Sequence, residues 1–176
     1  MVEQLSALAS ELSKYAKGIL ERLGTPSSLA EHKYNSFMAG LAAVIDSLAE
    51  IVRKSDCVIE SKGLEGRVVK YCGGWMVLLG DGVTAVARLR PALSIRSDGS
   101  RIVFRRDKVA LIIEGRRITL CKYHYCKEVV LGEKESVIEE LPQLNYLLRN
   151  VAWHASKSLE GLNACLREEA PACLRA

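Results

Sequence analysis

From about Ser55 onward the apolar residues of this chain stop recurring at every third or fourth position and begin to alternate. Nothing else in the sequence constrains the fold as tightly, because a period of 3.6 belongs to helices and a period of 2 to strands. The alternating runs predict strands over 66–72, 75–79, 83–90, 101–105, 109–114 and 117–123, with 128–131 as a closing edge. Gly73-Gly74, Asp81-Gly82, Asp98-Gly99 and Gly115-Arg116 lie between strand-like runs, so neighbouring strands are expected to pair as antiparallel hairpins in a meander. Pro91, which cannot donate to a ladder, marks an edge or a bend.

Helical spacing frames this sheet. Leu5, Leu8, Leu12, Tyr15, Ile19 and Leu23 form one apolar stripe, and Gly24 ends it. Thr25 and Pro26 resemble an N-cap followed by a first-turn proline, and Phe37, Leu41, Val44, Leu48 and Ile51 give the second helix its apolar face. The short joining loop predicts an antiparallel helical hairpin. After Gly132 the helical period returns, with Pro142 causing a kink or a fresh helical start. Val137, Leu141, Leu144, Leu148, Val151, Ala155, Ser158, Leu162 and Cys165 follow alternating steps of four and three. Such a seam suits either a third helix lying on the hairpin or a self-association arm, and Leu147, Leu159 and Leu166 supply a second stripe. The fold class is therefore α+β: a helical hairpin and basic antiparallel meander over 1–131, and a C-terminal helical packing and oligomerisation arm over 132–176. A homo-oligomer, dimer or tetramer, is the corresponding expectation.

Charge is divided unevenly. Residues 62–127 hold fourteen Lys and Arg against five Asp and Glu, which leaves 11 basic and 16 acidic residues for the rest of a chain with 25 and 21 in all. A basic sheet between acidic helical arms is the footprint of a surface that meets polyanions. Alternation places Arg101, Arg105, Arg117, Thr119 and Tyr123 on one face, opposite Ile102, Phe104, Ile118 and Leu120; Arg67 shares a face with Tyr71, and Arg88 with Arg90. Tyr71, Trp75, Tyr123 and Tyr125 are rings on or beside strands that can either pack in a core or stack on bases.

The segment before Gly24 carries Glu3 and Glu11 within its apolar pattern, unlike a signal peptide, and no eighteen uncharged apolar residues run together, so a cytoplasmic protein with no membrane span is expected. Asn and Gln together number only six, which leans toward a thermophile, where intracellular disulfides occur. Cys165 and Cys173, flanking Pro171, form a candidate clasp. Cys121, His124 and Cys126 match no zinc-knuckle spacing, and buried thiols or a disulfide are expected there, with no metal or other cofactor.

The order of helix, helix, basic meander and leucine-rich terminal helix resembles the ThermoDBP-type single-stranded-DNA-binding proteins of hyperthermophilic archaea. That resemblance implies a binding domain made of the helical pair and the sheet, oligomerisation through helices, and binding with little regard to sequence. On this reading Arg67, Arg88, Arg90, Arg101, Arg105 and Arg117 neutralise phosphates, and Tyr71, Trp75 and Tyr123 supply stacking platforms for single-stranded DNA or RNA. Arg149-Asn-Val-Ala-Trp-His154 looks like the Arg and His signature of the metal-independent HEPN ribonucleases, which makes nuclease activity the alternative. A small protein-interaction subunit of a nucleic-acid-handling complex is a third reading. No Walker loop, Rossmann glycine pattern, nucleophile elbow or paired-carboxylate arrangement is present, so a binding protein and not an enzyme is the expectation.

Overall fold

The structure is a computed structural model that describes residues 2–23, 29–62, 68–71, 74–79, 84–87, 93–98, 100–169 and 171–174, with side chains over 2–14, 29–54, 93–97 and 100–168 and at three tail positions. Helix α1 spans Val2–Leu23 and α2 spans Leu29–Lys62. The proposed Thr25 cap lies outside the described residues. Eight strands follow: β1 (Val68–Tyr71), β2 (Gly74–Leu79), β3 (Thr84–Ala87), β4 (Leu93–Asp98), β5 (Arg101–Arg106), β6 (Val109–Glu114), β7 (Arg117–Lys122) and β8 (Tyr125–Val130). They form one antiparallel sheet in sequence order, the expected meander. The short α3 (Lys134–Glu139) and long α4 (Leu141–Glu169) complete the α+β fold.

Two parts of the sheet depart from the sequence reading. Strand β4 was not expected, because Pro91 reads as the end of a run; Leu93 and Ile95 nonetheless alternate into the core, at 1% and 0% exposure. Strand β8 begins at Tyr125 instead of 128, because β7 and β8 are joined by a two-residue turn at Tyr123-His124 that carries no glycine. The last four strands obey an eight-residue rule, six in the strand and two in the turn, with turns at 107–108, 115–116 and 123–124. Each turn opens on a left-handed residue: Asp107 at φ 55°, Gly115 at φ 60° and Tyr123 at φ 55°. Two-residue hairpins demand that conformation because it matches the strand twist, and here side-chain-bearing residues adopt it at two of three turns.

The register decides which strand residues face the helices. Ile102, Phe104, Leu111, Ile113, Ile118, Leu120 and Val129 are cross-strand neighbours on one side, and all are buried. Against them lies α4, packed on β6, β7 and β8 and, on its other side, on α2. The seam from Val137 to Cys165 is buried throughout, and Leu147 and Leu166 of the second stripe are fully enclosed. Both stripes are therefore used inside the chain, and an oligomer would need a different surface. One hydrophobic cluster joins residues from α1, α2, the sheet and α4, so 131/132 separates sheet from helix without dividing the core. Gly40 of α2 sets how closely α4 approaches, since a Cβ there would meet Leu148 Cδ2 at 3.2 Å. Phe37, Leu41, Val44, Leu48 and Ile51 are buried as their spacing predicts. A stretch of α2, residues 29–54, is long and apolar enough to cross a membrane, but its most apolar 18-residue window is 61% buried inside the fold, the position of a core helix.

Pro142 marks a fresh start and not a kink: α3 ends at Glu139, and the Glu140 carbonyl accepts from Leu144 N–H at 2.9 Å to open α4. Cys121 and Cys126 are direct cross-strand partners joined by a disulfide. Alternation carried straight through 117–126 puts them on opposite faces; the two-residue turn resets the phase and brings them together. Cys165 is also disulfide-bonded, and no described cysteine is a free thiol. The side chain of Cys173 lies outside the described residues.

Candidate nucleic-acid interface

Among the predicted phosphate contacts, Arg101, Arg105 and Arg117 do lie on the sheet face turned away from the helices, but they do not make a continuous cationic trough there. In the register Arg101 stands between Asp98 of β4 and Glu114 of β6, and Glu114 stands between Arg101 and Arg117. Arg117 Nε approaches Glu128 Oε2 at 3.6 Å. Charges of both signs therefore alternate across this face, and Arg105 is the exposed member of the three without a directly opposed acid. Tyr123 does not share the face, since its left-handed backbone takes it out of the pleat and into the β7–β8 turn. Arg67, Arg88 and Arg90 lie outside the described residues, as do the side chains of Tyr71 and Trp75, whose backbones belong to β1 and β2.

A different surface collects the exposed rings. Among the described residues the exposed large apolar side chains are Leu29, Tyr123, Tyr125, Tyr146 and Trp153, and the four aromatic ones gather at one end of the sheet. There the 107–108 turn and the 123–124 turn lie side by side, the Tyr123 N–H donating to the Lys108 carbonyl at 2.7 Å. The Cys121–Cys126 bridge closes the hairpin that presents Tyr123, and by chain entropy a loop this short contributes about 2 kcal/mol. Helix α4 brings Tyr146, Arg149, Asn150, Trp153 and Lys157 to the same end, at intervals that repeat once per helical turn.

Contacts fix these groups relative to one another. Lys122, the cross-strand partner of Tyr125, donates from Nζ to the Tyr146 hydroxyl at 2.7 Å and sits 4.9 Å from that ring's centre. Lys157 Nζ lies 5.9 Å from the Trp153 ring and also 3.3 Å from Glu160. Asp107, Lys108, Tyr146, Arg149, Asn150, Trp153 and His154 line an open cleft of about 550 Å³. Trp153 is 56% exposed and so leaves much of its surface free.

Beneath the cleft sits a buried pair. Arg106 shares its strand parity with Ile102 and Phe104 and so points inward, at 6% exposure. One of its terminal nitrogens lies 3.1 Å from His154 Nδ1 and donates to the His154 carbonyl at 3.3 Å. An arginine only donates, so Nδ1 must accept and the imidazole is neutral with its proton on Nε2. Burial, reinforced by the Arg106 charge, holds His154 below the usual histidine range, and burial likewise lowers Arg106. In this state His154 can donate a hydrogen bond from Nε2 but has no free lone pair to take a proton. General-base chemistry with Arg149 would first require Arg106 to leave Nδ1.

Sequence reasoning quoted Arg149, Trp153 and His154 only as a nuclease-like string and did not single out Tyr146, Lys108 or Lys122. The signal was present: Lys122 has the parity of Ile118 and Leu120, and Tyr146, Arg149 and Trp153 lie on one helical face. No group of three or more His, Cys, Asp or Glu side chains that could hold a metal occurs among the described residues.

No family model, curated protein or solved structure matches the chain.

Proposed function

We propose that this protein binds single-stranded nucleic acid, with little regard to sequence, along the end of the sheet formed by the 107–108 and 123–124 turns and the outer face of α4. The observation that carries the reading is the gathering of every exposed aromatic side chain among the described residues, Tyr123, Tyr125, Tyr146 and Trp153, beside Lys108, Lys122, Arg149 and Lys157. Single strands are held by cations that follow the phosphates and by rings on which bases stack, each stacked base contributing about 1–3 kcal/mol. Duplexes offer no free base faces, so the rings favour single strands. The resemblance to ThermoDBP-type proteins points to DNA as the first substrate to try.

Nuclease activity is the weaker reading, because His154 holds its proton on the nitrogen a substrate hydroxyl would need. The test is an anisotropy titration of a labelled mixed-sequence oligonucleotide at 50 and 200 mM salt. Four phosphate contacts predict a log–log slope of about −2.8 and a loss of affinity of about fiftyfold between the two conditions. Absence of binding at the lower salt would remove the proposal, and shortening of labelled RNA that stops in His154→Ala would replace it with the nuclease.

A further inference from the structure

We propose that the cleft beside Trp153 is a base pocket that prefers guanine, so that a tract held without regard to sequence is registered on one kind of base. This rests on the binding reading above and adds to it the identity of one base. The cleft presents two hydrogen-bond acceptors that phosphate binding does not need. Asp107 is an exposed carboxylate that lines the cleft from its left-handed turn; the buried Arg106 charge attracts it, but among the described residues no Lys or Arg side-chain nitrogen comes within 4.0 Å of its oxygens, so it forms no salt bridge. Asn150 donates from Nδ2 to the Tyr146 carbonyl at 2.8 Å, which fixes the amide and leaves Oδ1 free to accept.

A carboxylate in a phosphate-binding surface repels the backbone of the ligand, and its presence there calls for a ligand group that donates. Among the four bases only guanine sets two donors side by side, its N1–H and its exocyclic amine. Adenine and cytosine place a ring acceptor next to their amino group, and thymine or uracil flanks its one N–H with two carbonyls; each therefore turns a lone pair toward the carboxylate. Guanine's O6 and N7, on its other edge, suit donors, and Arg149 and Lys108 supply them in the same cleft. Trp153 offers the ring on which the base lies.

The test is competition against a fluorescein-labelled fifteen-residue oligothymidine, using unlabelled oligothymidines that carry one central guanine, inosine, adenine or cytosine. We expect the guanine competitor to bind roughly tenfold better than those with adenine or cytosine, the scale of one bidentate base contact, with inosine, which keeps N1–H but lacks the amine, between them. Asp107→Asn should erase the preference and raise affinity for plain oligothymidine, because it removes a carboxylate that repels the phosphates. Asparagine tolerates a left-handed turn as aspartate does, and its amide pairs one acceptor with one donor, which no longer matches guanine. Equal competition by all four oligonucleotides, or an unchanged guanine preference in Asp107→Asn, would overturn the base pocket and leave general binding standing. Failure of every oligonucleotide to bind would remove both.

Discussion

Trp153→Ala separates stacking from folding, because the stability it costs leaves nearly every molecule folded, whereas a lost stack acts on affinity in full. Trp153 is 56% exposed, so truncation uncovers on the order of 100 Å² of buried apolar surface, and at about 25 cal/mol per Å² the stability cost is about 2–3 kcal/mol. A domain stable by about 5 kcal/mol or more keeps all but about 3% of its molecules folded after that loss, too little to move an affinity. Loss of one stacked base costs about 1–3 kcal/mol, which is a five- to 150-fold rise in Kd. The assay is anisotropy with labelled oligothymidine at 50 mM salt, beside a circular dichroism melt of the same sample. The salt slope should stay at its parental value, since no phosphate contact is removed, and Trp153→Phe should recover most of the affinity. A folded Trp153→Ala protein that binds within twofold of the parent would refute the assignment of this ring to the ligand.

The cationic contacts have their own signature: Lys108→Ala with Arg149→Ala should make the salt slope shallower by about 1.4, whereas Arg105→Ala with Arg117→Ala, on the mixed-sign sheet face, should leave slope and affinity within twofold of the parent, both read in the same titration. His154 titrates below its unfolded value near 6.5, so the unfolded chain takes up a proton the folded one refuses; the stabilisation is complete above pH 6.5 and is lost as pH falls from there toward the folded value, at up to about 1.4 kcal/mol per pH unit. Urea unfolding at pH 7.5 and 5.5 should show this dependence in the parent and a flatter one in His154→Gln. Arg106→Met removes a buried charge that no carboxylate neutralises directly, so stability should hold or rise, while affinity falls several-fold as the 107–108 turn loses its tie to α4; a less stable variant with parental affinity would contradict both halves.

Much of the architecture can be read from spacing, and the site hardly at all. The seam from Val137 to Cys165 and the stripe from Phe37 to Ile51 are strong periodic signals, and both helices bury those residues. Spacing does not say whether a seam meets another copy or its own chain, because the same knobs fit either; α4 packs on both α2 and the sheet, and Leu147 and Leu166 are fully buried within the chain. The break between 105 and 109 was expected, but the bounds of that turn and the turn at Tyr123 lack a glycine to mark them, although six strand residues and two turn residues repeat three times over 101–124. With that repeat in hand the phase of each strand is fixed, and Arg106 and Lys122 fall on the inward side. Their inward position is what parity could have shown and charge concealed, since an arginine on a strand is ordinarily read as solvated.

Helix α4 is least regular where it matters most. A buried helix surface chosen for packing alone would be apolar at 154 and 158, yet His154 and Ser158 are buried there at 5% and 1% exposure. Each has a job that an apolar residue could not do. The Ser158 hydroxyl donates to the His154 carbonyl at 2.7 Å, that carbonyl also receives Arg106, and the imidazole turns its lone pair to the same guanidinium. The polar break thus exists to receive one arginine from the end of β5. Burying that charge against a neutral ring and a carbonyl, with its Nε left without a partner, costs more than an aliphatic side chain would. The arrangement is intelligible if its return is positional: the residue after Arg106 begins the turn that carries Asp107 and Lys108, and the residue before His154 is Trp153. One buried contact therefore ties the turn that carries Asp107 and Lys108 to the helix that carries Trp153, which a solvated turn on a free helix face could not do.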